Sequence, residues 1–373
     1  MSVAQVAKMA GVSTATVSRV INDHPNVSAR AIKTVSDVIE QLNYHPRKPA
    51  RRSTVTPQSR EKRRQRKLAA LALVMPDLEV SFFPSLVRSF ESTARDAAHQ
   101  VLICNTENSV AKQADILVQL IEHGVAGVAL MSPSTSEPFV HQIRLLERCG
   151  VAVVLLHREV ESASASVVAL PYERLGRRAV EALADFGHRR IALVISNKSP
   201  TSQAYERGAR QALTDHRLPL TEDWIYRPPQ GEVSTNTSDR VAAIEAQLDR
   251  LLNLPAEQRP TALFANWEGD AQLLLLLLLS RGVRVPEDIS IITSGSAWRN
   301  DPVNSRLAAI TIDEVESGRI AVELLMARVN GDKSAAKPQR RVLELGLHRG
   351  QTLGHAPGVA SHQKQLLSTH ERS

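Results

Sequence analysis

Aromatic side chains make up only 3% of this 373-residue chain, and cysteine occurs twice, at Cys104 and Cys149. Two thiols cannot build a disulfide framework, so the sequence suits a reducing compartment. Few aromatics beside 43% apolar residues point to aliphatic cores of the α/β kind, and the length calls for more than one domain. Zinc-type Cys/His spacings, a P-loop and a nucleophile elbow are all missing, so neither an enzyme nor a bound cofactor is expected. The seven-leucine run Leu273 to Leu279 falls far short of the roughly 20 apolar residues that cross a bilayer; it reads as a helix buried in a core. The first residues lack the basic segment and apolar run of a secretory signal, and no membrane partner is expected.

What the chain does have is unevenly placed charge. The net charge is +7, yet residues 46–67 alone hold ten Lys/Arg against the single acid Glu61. Residues 1–45 are near neutral and the remainder from Leu68 is slightly acidic. A concentrated basic segment is an electrostatic footprint for a polyanion, although a solvated, extended linker has the same composition.

Ahead of that segment lies a helix–turn–helix pattern. Ser2 with Gln5 forms a capping-box spacing, and Val3, Val6, Ala7 and Ala10 share one helical face. Gly11 suits the turn and Ser13 the start of a second helix. On that helix Val17, Val20 and Ile21 face inward by spacing. Thr14, Ala15, Thr16, Ser18, Arg19 and Asn22 are left to face outward. Short side chains at its beginning permit close approach to base edges in a DNA major groove, and Arg19 suits guanine or phosphate. A third helix follows from Ser28, with Ile32, Val35, Val38, Ile39 and Leu42 as its apolar stripe, and Asn43-Tyr44-His45-Pro46 ends it.

The pieces Val6-Ala7, Ala10-Gly11-Val12-Ser13, Thr16-Val17-Ser18-Arg19-Val20-Ile21-Asn22, Val27-Ser28 and Leu42-Asn43-Tyr44-His45-Pro46 keep one order and spacing. They resemble the DNA-binding head of the lactose-repressor (LacI/GalR) family of bacterial transcription regulators. The resemblance implies DNA contacts from Ser13, Thr14, Ala15, Thr16, Ser18, Arg19, Asn22, Ser28 and Tyr44, and from Arg47, Lys48, Arg51 and Arg52 beyond the head. It also implies a hinge helix with an Ala-Arg-x-Leu pattern whose leucine wedges into the minor groove. Here the hinge reads Ala50-Arg51-Arg52-Ser53 after Pro49, with no leucine, followed by an added basic stretch from Thr54 to Lys67. An extended arm tracking the minor groove is the alternative to the wedge.

From Leu68 apolar runs that read as buried strands (Leu68–Met75, Val101–Cys104, Val125–Met131, Val151–Leu156, Ile191–Ile195, Ala262–Phe264 and Ile289–Ile292) alternate with helical patterns such as Ala111–Glu122, Arg174–Ala184 and Ala204–Leu213. Alternation of this kind predicts doubly wound parallel sheets with ligands at strand carboxyl ends. Gly187-His188-Arg189-Arg190-Ile191-Ala192-Leu193, Gly282-Val283 with Val285-Pro286-Glu287-Asp288-Ile289-Ser290, and Gly318-Arg319-Ile320-Ala321-Val322-Glu323-Leu324-Leu325 extend the family resemblance to about residue 352. The implied fold is a two-lobed, periplasmic-binding-protein-like α/β core behind the helix–turn–helix head. The expected domains are the head at 1–45, a basic hinge or linker at 46–67, a core for effector binding and dimerisation at 68–352, and a disordered tail at 353–373.

The effector positions depart from the family. Its strand-ending Asp is His157, its Asp-Asn is Pro171-Tyr172, and its Arg before a glycine is Tyr205 before Gly208. The Asp after Asn266 is Trp267, and the Gly-Phe/Tyr-Asp-Asp turn is Thr293-Ser294-Gly295-Ser296. The cleft candidates are therefore Phe82, Phe83, His157, Tyr172, Tyr205, Asn266, Trp267 and Ser296. The five aromatics among them form either a box for a flat or apolar ligand or the filling of a collapsed, ligand-free cleft. The expected function is a cytoplasmic, nucleoid-associated, homodimeric repressor of a pseudo-palindromic operator in double-stranded DNA, with an unknown small-molecule effector. An effector-independent, partly architectural DNA binder using the linker is the alternative, and a small-molecule binder with a vestigial head is a third.

Overall fold

The computed structural model describes residues 7, 9–21, 31, 34, 35, 37, 38, 70–78, 83–133, 139–160, 163–228, 237–297, 302–332 and 337–357. The chain divides into two units, 1–66 and 67–373, one residue before the core start expected from the sequence.

In the first unit, helical backbone at 7 and 9–10 leads through Gly11 into helix α1 (Thr14–Ile21). Gly11 takes a φ of +63°, a region that other residues enter only under strain. The Val12 amide closes the turn on the Ala7 carbonyl at 3.1 Å. Ala7, Ala10, Val17, Val35 and Val38 form a small buried core, with Val12 and Val20 packed against it.

The second unit holds two six-stranded sheets. Strands β1 (Ala70–Met75), β2 (Gln100–Asn105), β3 (Gly127–Leu130), β4 (Ala152–His157), β5 (Ser166–Ala169) and, from far downstream, β11 (Arg340–Val342) form the first. Its order is β11-β5-β4-β3-β1-β2 and every pairing is parallel. Strands β6 (Ile191–Val194), β7 (Ile225–Tyr226), β8 (Ala262–Ala265), β9 (Ser290–Ser296), β10 (Ala308–Ile312) and β12 (Leu345–His348) form the second, ordered β12-β10-β9-β8-β6-β7. Only the β10–β12 pair is antiparallel.

Strand β1 shows why unbroken apolar runs mark these strands. Leu71, Leu73 and Met75 enter the cluster that holds Leu86 and Phe90 of helix α2 (Phe83–Asp96), whereas Ala72 and Val74 enter a second cluster. That second cluster is built from helices α3 (Val110–His123) and α4 (Val140–Arg148), through Leu117, Leu120, Ile143 and Leu146. Both faces are covered, so alternate residues have no polar side to show. The second sheet repeats the arrangement. Helices α5 (Tyr172–Asp185) and α6 (Pro200–Asp215) contribute to one cluster, and α7 (Thr237–Leu252) and α8 (Glu268–Ser280) to another. Helix α9 (Glu314–Val329) leaves β10 and packs on α2 and on strands β3 to β5, returning the chain to the first lobe. The lobes are thus joined by three short crossings, at 170–171, at Asp313 and at 343–344.

Three expectations change. Val101–Cys104 does form a strand, β2, but at the edge of its sheet, where it is largely exposed and not buried. The leucine run does form a helix, but only one side of it is buried: Leu274 and Leu278 are covered, while Leu276 and Leu279 are 63% and 54% exposed. A uniform run carries no periodicity from which to read this. Residues 353–357, expected to belong to a disordered tail, are ordered on the core: Leu353 and Ala356 are buried and the Gly354 carbonyl accepts from the core. Residues 358–373 lie outside the described residues. Strands β5, β7, β10, β11 and β12 were not anticipated; β7 has only two residues, and β11 and β12 are largely exposed.

Candidate functional site

In the head, Ser13 caps α1 as its position suggests. Its Oγ accepts the Thr16 amide at 3.1 Å and lies 2.9 Å from the Thr16 hydroxyl. Thr14 is exposed, and Thr16 is partly buried with its hydroxyl held by the cap. Val17, fully buried, orients the helix. Ala15, Ser18 and Arg19 belong to the same helix. Asn22, Ser28, Tyr44, Arg47, Lys48, Arg51, Arg52 and Phe82 lie outside the described residues, as does the segment 46–67.

In the core the remaining candidates fall into separate groups. Tyr172 begins α5 and Tyr205 lies on α6, and their rings meet edge to face at 5.4 Å. Two glycines bring those helices together: Gly176 lies against the backbone at Tyr205, and Gly208 against the backbone at Glu173. Tyr205 is buried, 6.4 Å from Phe264 between ring centres, and its hydroxyl is 3.0 Å from Ser294 Oγ. Ser294 also reaches the Asn266 carbonyl at 2.9 Å. Burial raises the Tyr205 phenol above its ordinary value, and does the same at Tyr172, where nearby Arg158 opposes it.

Asn266 is fully engaged, accepting the Ser196 amide at 2.8 Å and donating to Ser202 Oγ at 3.1 Å. Trp267 goes elsewhere. It is 39% exposed, and the Arg240 guanidinium stacks 4.2 Å over its ring while gripping Asp270 at 2.6 Å. Burial lifts the Asp270 carboxyl and Arg240 pulls it back. Phe83 belongs to the apolar core of the first lobe. The expected five-membered aromatic box is therefore reduced, among the described residues, to the Tyr172–Tyr205 pair.

His157 ends β4 with a φ of +67° and is buried, its Nε2 3.2 Å from Ser317 Oγ on α9. Burial, with Arg158 beside it, pushes its pKa down to about 3, so the ring is neutral. Ser296 ends β9 and donates to Glu314 Oε2 at 2.8 Å. Glu314 has no exposed surface, and burial pushes its carboxyl up to about 8 against bonds from its own amide, Ser296 and Ala297. Sequence reasoning missed Glu314, Arg158, Ser294 and Ser317. In the sequence, Asp313-Glu314-Val315-Glu316 reads as an ordinary acidic helix start, and nothing local marks one of its acids as buried.

His188 has a structural role. Its Nδ1 lies 3.0 Å from Thr261 Oγ1, and its Nε2 lies 3.0 Å from both Ser290 Oγ and the Gly354 carbonyl, tying three segments together. Burial lowers its pKa to about 4, only partly offset by the Gly354 carbonyl. Both histidines bind protons in the unfolded chain below about 6.5 but resist them when folded, so they remove stability as pH falls from about 6.5 toward 4. His188 alone accounts for about 3 kcal/mol. Glu314 acts in the opposite direction: folded, it holds its proton until about 8, so stability falls as pH rises from about 4.5 to 8. Together these three groups put the thermal midpoint at a maximum near pH 6.5. Glu314→Gln is expected to flatten the alkaline side of a melting series between pH 6.5 and 8; an unchanged slope would mean the carboxyl is ionised in the fold.

Comparison with known proteins agrees with this architecture. Residues 2–47 match the family described as bacterial regulatory proteins, lacI family, and residues 180–353 match the periplasmic binding protein-like domain. Catabolite control protein A of Priestia megaterium is 27% identical over 332 residues, covering 88% of this chain and 93% of that protein. The HTH-type transcriptional repressor PurR of Actinobacillus pleuropneumoniae serotype 3 (strain JL03) is 28% identical over 341 residues, covering 91% and 94%. Among solved structures, a transcriptional regulator CelR–cellobiose complex aligns with a TM-score of 0.63 at 24% identity, covering 95% of this chain and 100% of that one. The lac repressor dimer bound to operator and the anti-inducer ONPF aligns with a TM-score of 0.62 at 21% identity, covering 94% and 98%. The chain thus carries a lacI-family head at residues 2–47 and a periplasmic-binding-protein-like domain at residues 180–353, and over about nine-tenths of its length it is similar to transcriptional regulators built from the same two parts.

Proposed function

We propose that the protein is a homodimeric repressor that reads a pseudo-palindromic operator through α1 and answers to a small molecule held between its lobes. The observation that carries the reading is the Gly11 turn into the Ser13-capped α1, inside the segment that matches the lacI family. The lac repressor structure, a dimer on its operator, supports DNA binding and pairing, and the CelR–cellobiose complex supports a small-molecule effector. A repressor of this kind works in the bacterial cytoplasm, at the nucleoid. The family assignment also agrees with the expectation of a non-enzyme.

In this reading Thr14, Ala15, Thr16, Ser18, Arg19 and Asn22 face the major groove, Ser13 and Ser28 lie at helix starts near phosphates, and Tyr44, Arg47, Lys48, Arg51 and Arg52 continue along the backbone. The domain roles follow: reading by 1–45, charge by 46–67, pairing and effector binding by the core. Two exposed apolar faces suit the pairing surface. One is the edge strand β2, with Leu102 and Ile103 41% and 45% exposed, and the other is the Leu276/Leu279 face of α8.

Selection of bound sites from random DNA, with and without a metabolite extract, tests the reading; recovery of no two-fold-related motif would end it. Arg19→Ala is expected to cost about 1–3 kcal/mol on the selected operator if it pairs with guanine, and gel shifts with base-substituted sites check this. The architectural alternative draws on the ten basic residues in 46–67. Removing residues 60–67 separates the two: an equal loss on operator and random DNA assigns that segment to phosphates alone.

A further inference from the structure

Buried polar atoms in native proteins nearly always have a partner, so the exceptions need a reason. Among the described residues two such exceptions are Glu314 Oε1 and Arg158 Nε. Both belong to residues just past the carboxyl end of a strand, Glu314 after β10 and Arg158 after β4. Ligands of open parallel sheets bind at that edge.

Glu314 is the stronger of the two. It stands at the Asp313 crossing between the lobes, and its Oε2 is held by Ser296 from the second sheet. One turn along α9, Ser317 meets His157 of the first sheet. Two residues back along β9, Ser294 meets Tyr205 and, through its ring, Tyr172. The residue with the unpartnered oxygen is thus linked through α9 to the residue that meets His157 and through β9 to the residue that meets Tyr205.

The charges around it are one-sided. On its own turn are Asp313, which disfavours ionisation, and Glu316, which is paired with Arg319. From β4 comes His157, whose ring is neutral, and from α5 and α6 come two phenols that keep their protons. Arg158 acts on His157 and Tyr172 and donates to the Pro133 carbonyl. No cation among the described residues makes an ion pair with Glu314.

We infer that the cleft takes a small organic cation, a primary amine or a guanidine, whose positive group is received by Glu314 while its body lies against the Tyr172–Tyr205 pair. This rests on the reading of the cleft as an effector site and gives that effector a charge. The ammonium or guanidinium N–H groups supply the bond that Oε1 lacks, and the aromatic faces favour a cation. The protonation balance is simple: the Glu314 carboxylic acid releases its proton to solvent, and the resulting carboxylate pairs with the ligand cation. A neutral sugar or alcohol satisfies Oε1 without releasing that proton.

The test uses the full-length protein and four amines (tyramine, tryptamine, agmatine and putrescine), each beside a neutral counterpart in which hydroxyl or amide replaces the cation. Thermal shift screens binding. Calorimetry at pH 7 in two buffers of different ionisation enthalpy counts protons. Expected are binding of at least one amine in preference to its counterpart, release of close to one proton, and at least about a 30-fold loss of amine affinity in Glu314→Gln. No amine binding, equal binding of the neutral counterpart, or no proton release overturns the inference, as does amine affinity intact in Glu314→Gln. If that variant does not fold, proton release by the natural protein decides. Gel shifts without ligand run alongside, so failure to bind DNA counts against the repressor reading alone.

Discussion

A methyl group added at Gly208 is expected to cost the core about 4 kcal/mol or more and to lower its melting midpoint by roughly 10 °C. Helices α5 and α6 cross backbone to backbone. A Cβ at Gly208 would stand 1.8 Å from the Glu173 carbonyl oxygen, and one at Gly176 would stand 2.0 Å from the Tyr205 carbonyl oxygen. These obstacles belong to helical backbone and cannot swing aside as a side chain can. Relief requires the helices to part, which withdraws Tyr205 from Phe264 and Ser294 and loosens Leu175, Ala179, Ala209 and Leu213 in the core beneath. Close-packed interiors do not absorb such a shift. The exposed ion pair between Arg207 and Glu173 spans the same crossing but contributes little to holding it. Gly150→Ala is the comparison: nothing lies within 4 Å of its Cβ, so only the left-handed backbone at φ +74° is penalised, by about 1–2 kcal/mol. Thermal unfolding followed by circular dichroism decides. If the two variants melt alike, the α5–α6 contact yields more easily than its geometry implies.

Leu276→Glu combined with Leu279→Glu is expected to turn the dimer into folded monomers and to weaken operator binding by about 10²–10⁴-fold. The two leucines stand three residues apart on α8, so they share a face. The opposite face carries Ala271, Leu274 and Leu278 into the core, and the exposed pair lies outside it. A single exposed leucine is ordinary on a protein surface; two in register, with a second apolar face on edge strand β2, suit a surface that is covered in the working molecule. Two carboxylates in such a contact must be dehydrated without partners, which opposes pairing strongly. Each head then reaches its half-site alone and the avidity of a linked pair is lost. Sedimentation velocity gives the assembly state, and gel shifts give the affinity. A dimer that survives the double substitution places the pairing surface elsewhere, and Ile103→Glu on β2 is then the next variant to measure.

Much of the architecture was legible in the chain because its signals are short-ranged. The Gly11 turn, the Ser13 cap and the inward Val17 lie within seven residues of one another, and each is recognisable from residue type and spacing. The apolar runs of β1, β3, β4 and β6 announced strands covered on both faces. The leucine run misled because seven identical residues have no phase. The tail misled because Leu353 and Ala356 are isolated apolar positions in a polar segment, held against the core by contacts of Thr352, Gly354 and Ala356 with distant residues such as Ile291, His188 and Phe186.

The cleft was the least legible part. Sequence alignment to the family picked out Tyr172, Tyr205 and Trp267 together, yet Tyr172 and Tyr205 meet through two glycine notches while Trp267 turns to Arg240. Glu314 passed for a helix-start acid, and only its burial beside Ser296 reveals a carboxyl oxygen, Oε1, that lacks a partner.

The alternation of strands and helices in the core, the turn and cap of the head, the basic segment and the resemblance to the lacI family follow from the sequence alone, since caps, turns and apolar periods act over a few residues. Tertiary structure decided which leucines face water, how closely α5 and α6 approach, and which polar groups lose their water. Those outcomes depend on residues as far apart as His157 and Ser317, 160 positions distant, and the cost of dehydration is set by what the fold brings together.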